Sequence, residues 1–225
     1  MQLPFDREQF MAMFATYNEA IFPAQVLAYA LAVLALWFCF RPARASDKVI
    51  GGLLALFWLW NGIVFQWMHF SQINPTARMF GVVLAVQGLL FAWSGVARSE
   101  LRFGLPASTA LRWIGGLLIV YAMVLYPLIG LWSGHRYPAM PIFGVAPCPT
   151  TIFTFGLLLW TTARVPKVLL IIPLLWALLG VAAAFSLGIP EDFALPLSGV
   201  VATALLLWRE RGHALPHTGA HPSPA

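Results

Sequence analysis

Residues 147–163 read PCPTTIFTFGLLLWTTA. The apolar part, 150–163, is shorter than the roughly 20 residues a helix needs to cross a bilayer. It follows Pro147 and Pro149 directly. Six longer apolar stretches surround it: 21–40, 49–70, 79–97, 111–132, 167–188 and 193–208, the last again short. Whether 150–163 crosses decides between six spans and seven, and so decides the side on which everything after it lies.

Charge answers the question. With the amino terminus outside, the inner loops hold Arg41, Arg44, Lys48, Arg98, Arg102, Arg112, Arg164 and Lys167, and the carboxy tail adds Arg209 and Arg211. Only Arg7, Arg78 and Arg136 fall outside, so ten of the 13 basic residues are inside. Basic residues are retained on the cytoplasmic side of short loops. Without the short span, the later assignments invert and this bias collapses. The sequence therefore predicts an all-α integral membrane bundle of seven transmembrane helices, the fifth short and preceded by a Pro-rich outer loop.

Composition agrees. The 225 residues are 60% apolar and 9% charged, against about a quarter charged in a soluble domain. Mean hydropathy is +0.81. A soluble enzyme, a nucleic-acid-binding domain and a disordered regulator are excluded on this basis. Long apolar runs without period-2 alternation argue against a β-barrel. The net charge of +5 is a topology signal and implies no nucleic acid. The partner is the lipid bilayer.

Three regions follow. Residues 1–20 carry Asp6, Arg7, Glu8 and Glu19 and lack the apolar core of a signal peptide. Phe5, Phe10, Met13, Phe14 and Tyr17 recur there at helical spacing, which reads as an amphipathic outer segment or as a lead-in to the first span. Residues 21–208 form the seven-helix domain. Residues 209–225, with Pro216 and Pro222 among His213, His217 and His221, read as a disordered cytoplasmic tail. Cys39 and Cys148 lie on opposite sides of the membrane and cannot pair.

Polar groups inside spans mark packing or function. At about 100° per residue, Trp58, Asn61, Phe65, His69 and Gln72 fall on one face of the second span, turned inward. Gln25 and Tyr29 are neighbours on the first span. Gln87, Tyr121 and Tyr126 add polar groups to the third and fourth. Glu19, Gln25, Asn61 and Gln72 are the candidate solute-binding residues. No Asp, Glu, Lys or Arg lies in the middle of a span.

Residues 126–156 are the most distinctive: Tyr126-Pro127, Gly134-His135-Arg136-Tyr137-Pro138, Pro141, Phe143-Gly144 and Pro147-Cys148-Pro149-Thr150-Thr151. The prolines block a regular helix, so 137–149 is expected to dip toward the bundle as an irregular loop. Pro149 suits the first turn of the fifth helix, which puts Cys148 at its positive end. There Cys148 reads as a reactive thiol, a soft metal ligand or a small packing residue. His69, His135 and Cys148, with Glu19 nearby, lie on the outer side, and imidazole with thiolate suits zinc or copper. These three are the candidate metal ligands. A pattern Pro-x-x-x-x-Phe-Gly-Val also occurs twice, at 75–82 and 138–145, as a parallel repeat of a two-helix unit would place it.

The outer-loop pattern ending in Pro147-Cys148-Pro149-Thr150, with Leu3-Pro4-Phe5, Tyr17-Asn18, Pro23, Gln25 and Ile73-Asn74-Pro75, resembles an uncharacterised bacterial polytopic inner-membrane family, a domain of unknown function. The resemblance covers nearly the whole chain and implies a bacterial inner-membrane location. It implies no activity. The residues themselves point to binding or passage of a small solute or metal ion through the outer half of the bundle. A membrane-embedded thiol or metal enzyme and a non-catalytic scaffold subunit are the alternatives.

Overall fold

A computed structural model of the chain describes residues 4–212. Residues 1–3 and 213–225 lie outside the described residues, and with them the tail histidines His213, His217 and His221. Among the described residues the chain is all-helical, without strands and with one isolated bridge between Phe103 and Thr161.

Helix α1 is Arg7–Ala20 and α2 is Ala24–Phe40, the two meeting at an 80° bend. Helix α3, Ser46–Trp60, continues as a π-helix over Asn61–His69 and a 3-10 turn over Phe70–Gln72. Helix α4, Ala77–Phe91, runs into a π-helix at Ala92–Ala97. Helix α5, Thr109–Val120, passes through a π segment, Tyr121–Leu125, into α6, Tyr126–Trp132. Then come α7, Pro147–Leu159, α8, Val168–Leu187, a 3-10 turn, Pro190–Phe193, and α9, Ala194–Gly212.

Local chemistry sets these limits. Asp6 caps α1 in a reciprocal capping box with Gln9, through bonds of 2.8 and 3.0 Å, which satisfies two otherwise orphaned backbone donors. Ser108 accepts from the Leu111 amide at the start of α5. Helix α8 stops at Gly188, whose φ of +62° favours glycine.

Five helical segments are long and apolar enough to cross a membrane: Ser46–Gln72, Ala77–Ala97, Thr109–Trp132, Val168–Leu187 and Pro190–Glu210. The bent pair α1–α2 makes a sixth if it counts as one span. Each of the seven expected stretches is helical, but α7 has only 13 residues. It also starts at Pro147, two residues before the expected Pro149, because Ala146 already has extended cap geometry and Pro147 occupies the first helical position.

The helices run alternately between two ends. At the basic end, Arg102 pairs with Asp47 at 3.0 Å, Arg209 donates to Thr161 O at 2.7 Å, and the Trp160 indole donates to Arg112 O at 2.9 Å. At the opposite end, here the histidine end, lie His69, His135 and the turn Pro190–Phe193. Helix α7 occupies the centre and packs on α3, α5, α8 and α9, with nearly every residue buried. The π-helix that continues α3 approaches α4 very closely: a methyl group on Gly62 would fall 2.6 Å from the Gly81 carbonyl oxygen. Small residues of this kind permit tight helix contact where apolar surroundings give no hydrophobic drive.

Prolines within this bundle leave backbone carbonyls without their usual N–H donor. Two of those carbonyls receive a side chain instead. Pro127 leaves Met123 O, which accepts from Tyr29 OH at 3.0 Å. Pro173 leaves Leu169 O, which accepts from Gln87 Nε2 at 3.1 Å. Part of the polarity inside these apolar helices thus repairs a helix broken by proline. Val145 O, ahead of the α7 cap in the irregular run, accepts from Tyr17 OH at 2.7 Å.

Candidate functional site

The 133–146 connection is the centre of the histidine end. Met140, Phe143, Val145 and Ala146 are buried, so the segment turns into the bundle. Gly144 adopts φ +80° and packs against Ala28 and Phe57. Its backbone oxygens are met from outside the loop. Asn18 Nδ2 donates to Pro138 O at 2.6 Å and to Met140 O at 2.8 Å. Asn61 Nδ2 donates to Gly144 O at 3.2 Å, as well as to Phe57 O in its own helix. Irregular backbone buried within a bundle requires protein partners of this kind.

A buried ionisable cluster lies beside the loop. The His135 side chain is only 4% exposed. Its Nδ1 is 2.7 Å from Glu191 Oε1 and its Nε2 is 2.9 Å from Arg7 Nη2. Glu191 and Asp192 are both buried, at 0% and 4% exposure. Tyr126 OH donates to Asp192 Oδ1 at 2.5 Å, and Tyr121 OH donates to the Glu191 carbonyl at 2.8 Å. The Cys148 side chain lies against Asp192 and Trp176. Glu191 Oε2 has no hydrogen-bond partner among the described residues.

A cleft of about 280 Å³ opens on the other side of α1. Gln9, Met13 and Thr16 from α1 face His69, Gln72 and Ile73 from the end of the α3 segment. His69 Nδ1 is 2.8 Å from Val64 O, and its ring packs edge-on against Tyr17 at 4.9 Å between centroids. A carbonyl only accepts, so Nδ1 carries the proton and Nε2 of the neutral ring keeps its lone pair.

The sequence-selected residues are dispersed. Only His69 and Gln72 line the cleft. Gln25 donates to Asn18 O at 2.8 Å and Asn61 to loop carbonyls, so both support backbone. Glu19 is exposed and lines no cavity with them. His135 and Cys148 both reach the Glu191–Asp192 turn, while His69 stands apart against Tyr17. Both His135 nitrogens are engaged, which leaves no lone pair for a metal. Among the described residues, no group of three or more His, Cys, Asp or Glu side chains is arranged to hold a metal ion.

The inward face of the second span also differs from expectation. Trp58, Asn61 and Phe65 are buried, but Gln72 is exposed and Gln66 is fully buried. From Asn61 onward the bonding is i→i+5, so a projection at 3.6 residues per turn loses register. The Gln66 amide has no hydrogen-bond partner among the described residues.

Sequence reasoning did not select Arg7, Tyr126, Glu191 or Asp192 as site residues. The signal was available: Glu191 and Asp192 are adjacent carboxylates between two apolar spans, in a chain with only eight acidic residues. Ionisable groups so placed are rarely neutral in meaning.

A model of the family of unknown function DUF6064 matches residues 7–216, and the chain belongs to that family. No curated protein and no solved structure matches it.

Proposed function

We propose that this DUF6064 member is a multi-pass membrane protein that binds a small polar solute at the histidine end of its bundle. The cleft beside His69 carries the reading. Ligand sites are concave, largely apolar and furnished with a few placed polar groups. Met13 and Ile73 supply the apolar wall here, and Gln9, Thr16, His69 and Gln72 supply the polar groups. With Nδ1 committed to Val64 O, His69 offers Nε2 as an acceptor. The lining suits a small solute that carries its own donors, such as an amine or a polyol.

The membrane reading rests on five long apolar helices and on the bent pair. Helix α7, at about 1.5 Å per residue, is too short alone, and the buried run-in 138–146 supplies the remaining depth. That makes seven crossings. Ten basic residues at one end against three at the other support a cytoplasmic basic end and an outer cleft. The family resemblance favours a bacterial inner membrane.

The test is a thermal-shift screen of the detergent-purified protein against amines, amino acids, polyols and sugars. At least one compound stabilises the wild type, and His69→Ala and Gln72→Ala each abolish that shift while leaving the unliganded midpoint nearly unchanged. A stabilising compound indifferent to both substitutions, or none at all, overturns the reading. Reporter fusions to the carboxy tail test orientation, since a periplasmic tail contradicts seven crossings with the amino terminus outside.

A further inference from the structure

We propose that His135 is a proton-binding site that latches and unlatches α1, and thereby regulates the cleft that α1 lines. The regulatory half rests on the solute-binding reading given above. The latch itself does not.

The geometry fixes the protonation state of the latched form. A guanidinium has five N–H donors and no acceptor. The 2.9 Å contact between Arg7 Nη2 and His135 Nε2 is therefore a hydrogen bond only when Nε2 keeps its lone pair. Nδ1 then carries the ring proton and donates to Glu191 Oε1 at 2.7 Å. The ring is neutral, held between a cation and a carboxylate.

Uptake of one proton changes one contact and preserves the other. The incoming proton takes the Nε2 lone pair and forms a new N–H bond. Arg7 loses its acceptor and faces an imidazolium. The Nδ1–H···Glu191 bond remains and becomes a charged pair. The proton has a route, because Arg7 is exposed while His135 is buried behind it. Glu191 is fully buried and Gly130 closes over it, with a methyl there falling 3.1 Å from Oε1. Its second oxygen, Oε2, is without a partner among the described residues, so the carboxylate holds spare acceptor capacity beside the imidazolium.

The surrounding charges are few. Arg7 faces the imidazole from α1, and Glu191 and Asp192 come from the 190–193 turn. Tyr126 from α6, Tyr121 from the π segment and Cys148 from α7 complete the setting. Arg136, next in the loop, is exposed. Imidazole is the side chain whose ordinary titration falls between about pH 5 and 8.

Release of Arg7 acts on the cleft because Gln9, Met13 and Thr16 sit on the same 14-residue helix. Low external pH frees the first turn of α1 and weakens the wall of the cleft. The Asn18 and Tyr17 bonds to the loop still hold the other end, so α1 pivots and does not detach.

The experiment is hydrogen–deuterium exchange of peptides within residues 4–20 of the detergent-solubilised full chain, at pH 8 and pH 5.5, corrected for intrinsic exchange. In the wild type, protection of the first turn falls several-fold at pH 5.5. Arg7→Gln shows the low protection at both pH values. His135→Gln, whose amide can still accept from Arg7 and donate to Glu191, stays protected at both. A wild type with equal protection at both pH values overturns the latch, and so does an unchanged pH response in either variant. Arg7→Gln alters an exposed residue and keeps the test decisive if His135→Gln does not fold. Affinity for any solute found in the screen forms a separate arm: it weakens at pH 5.5 in the wild type and not in His135→Gln. A normal exchange response without solute binding would overturn the solute reading and leave the latch standing.

Discussion

Two connections at the histidine end carry the same Pro-x-x-x-x-Phe-Gly-Val pattern, at 75–82 and 138–145. Each follows a histidine, His69 or His135. They fold differently. In the first, Asn74 and Thr76 lead directly into α4, so that Phe80, Gly81 and Val82 are helical. In the second, Phe143, Gly144 and Val145 form an irregular buried run, and the helix starts only at Pro147. The cause is the proline content. The first copy has Pro75 alone, ahead of its helix. The second has Pro138 and Pro141 within it and Pro147 and Pro149 just after, which remove donors where a helix would need them. A repeat in sequence is therefore no repeat in structure. The second copy depends on Tyr17, Asn18 and Asn61 for the hydrogen bonds its own backbone does not make. The two histidines follow suit: His69 bonds to its own helix, whereas His135 bonds across to α1 and to the 190–193 turn.

The contrast is sharpest in stability. His135→Ala removes the imidazole that bonds both Arg7 and Glu191 and leaves the buried Glu191 side chain without a hydrogen bond, which costs about 3 kcal/mol or more in denaturant unfolding in a fixed detergent. His69→Ala removes a partly exposed bond to a local carbonyl and costs about 1 kcal/mol or less. Equal losses at the two positions would erase the distinction between the connections.

Next in size is Gly144→Ala. It combines a left-handed backbone with a methyl driven onto Ala28, for about 2–4 kcal/mol. Gly134 also has positive φ, at +87°, but nothing within 4 Å of the added methyl. Gly134→Ala should therefore cost only the backbone strain, about 1–2 kcal/mol. A larger loss at Gly134 than at Gly144, read as thermal midpoints side by side, would mean that the second connection is not packed into the bundle.

Smaller effects separate the tyrosines that bond to carbonyls beside prolines. Tyr17→Phe strands the buried Val145 O and the part-buried Trp60 indole N–H, which donates to Tyr17 OH at 2.9 Å. That costs about 1–3 kcal/mol. Tyr29→Phe strands Met123 O alone at a part-buried site and costs about 1 kcal/mol. Proteolysis of the 133–146 segment should accelerate in Tyr17→Phe and stay near wild type in Tyr29→Phe.

Much of the fold was legible in the residues. Every apolar stretch falls in a helix, and five of these helical segments, or six with the bent pair, are long and apolar enough to cross a membrane, because a continuous apolar run leaves its mark on composition. The proline run marked the irregular loop, because a missing N–H is a local fact. The candidate site was legible only in parts. Glu19, Gln25, Asn61 and Gln72 were selected for polarity in or beside spans, yet Gln25 and Asn61 serve backbone carbonyls and Glu19 is exposed. His69 and Gln72 line the cleft, but its α1 wall of Gln9, Met13 and Thr16 came from the amphipathic outer segment, from which no cleft residue was selected.

What the sequence determined by itself was the helical class, the number of apolar stretches and where helix is forbidden, since each follows from composition and from covalent geometry within a few residues. Tertiary structure alone decided that Arg7, His135 and Glu191 meet. They are separated by 128 and 56 positions, and no local periodicity links them. It also decided that the second span turns Gln66 inward, through a change from i→i+4 to i→i+5 bonding. The physical reason is the same in both cases. A polar group in apolar surroundings must find a partner, but which partner depends on the packing order of the helices, and that order is a property of the whole bundle.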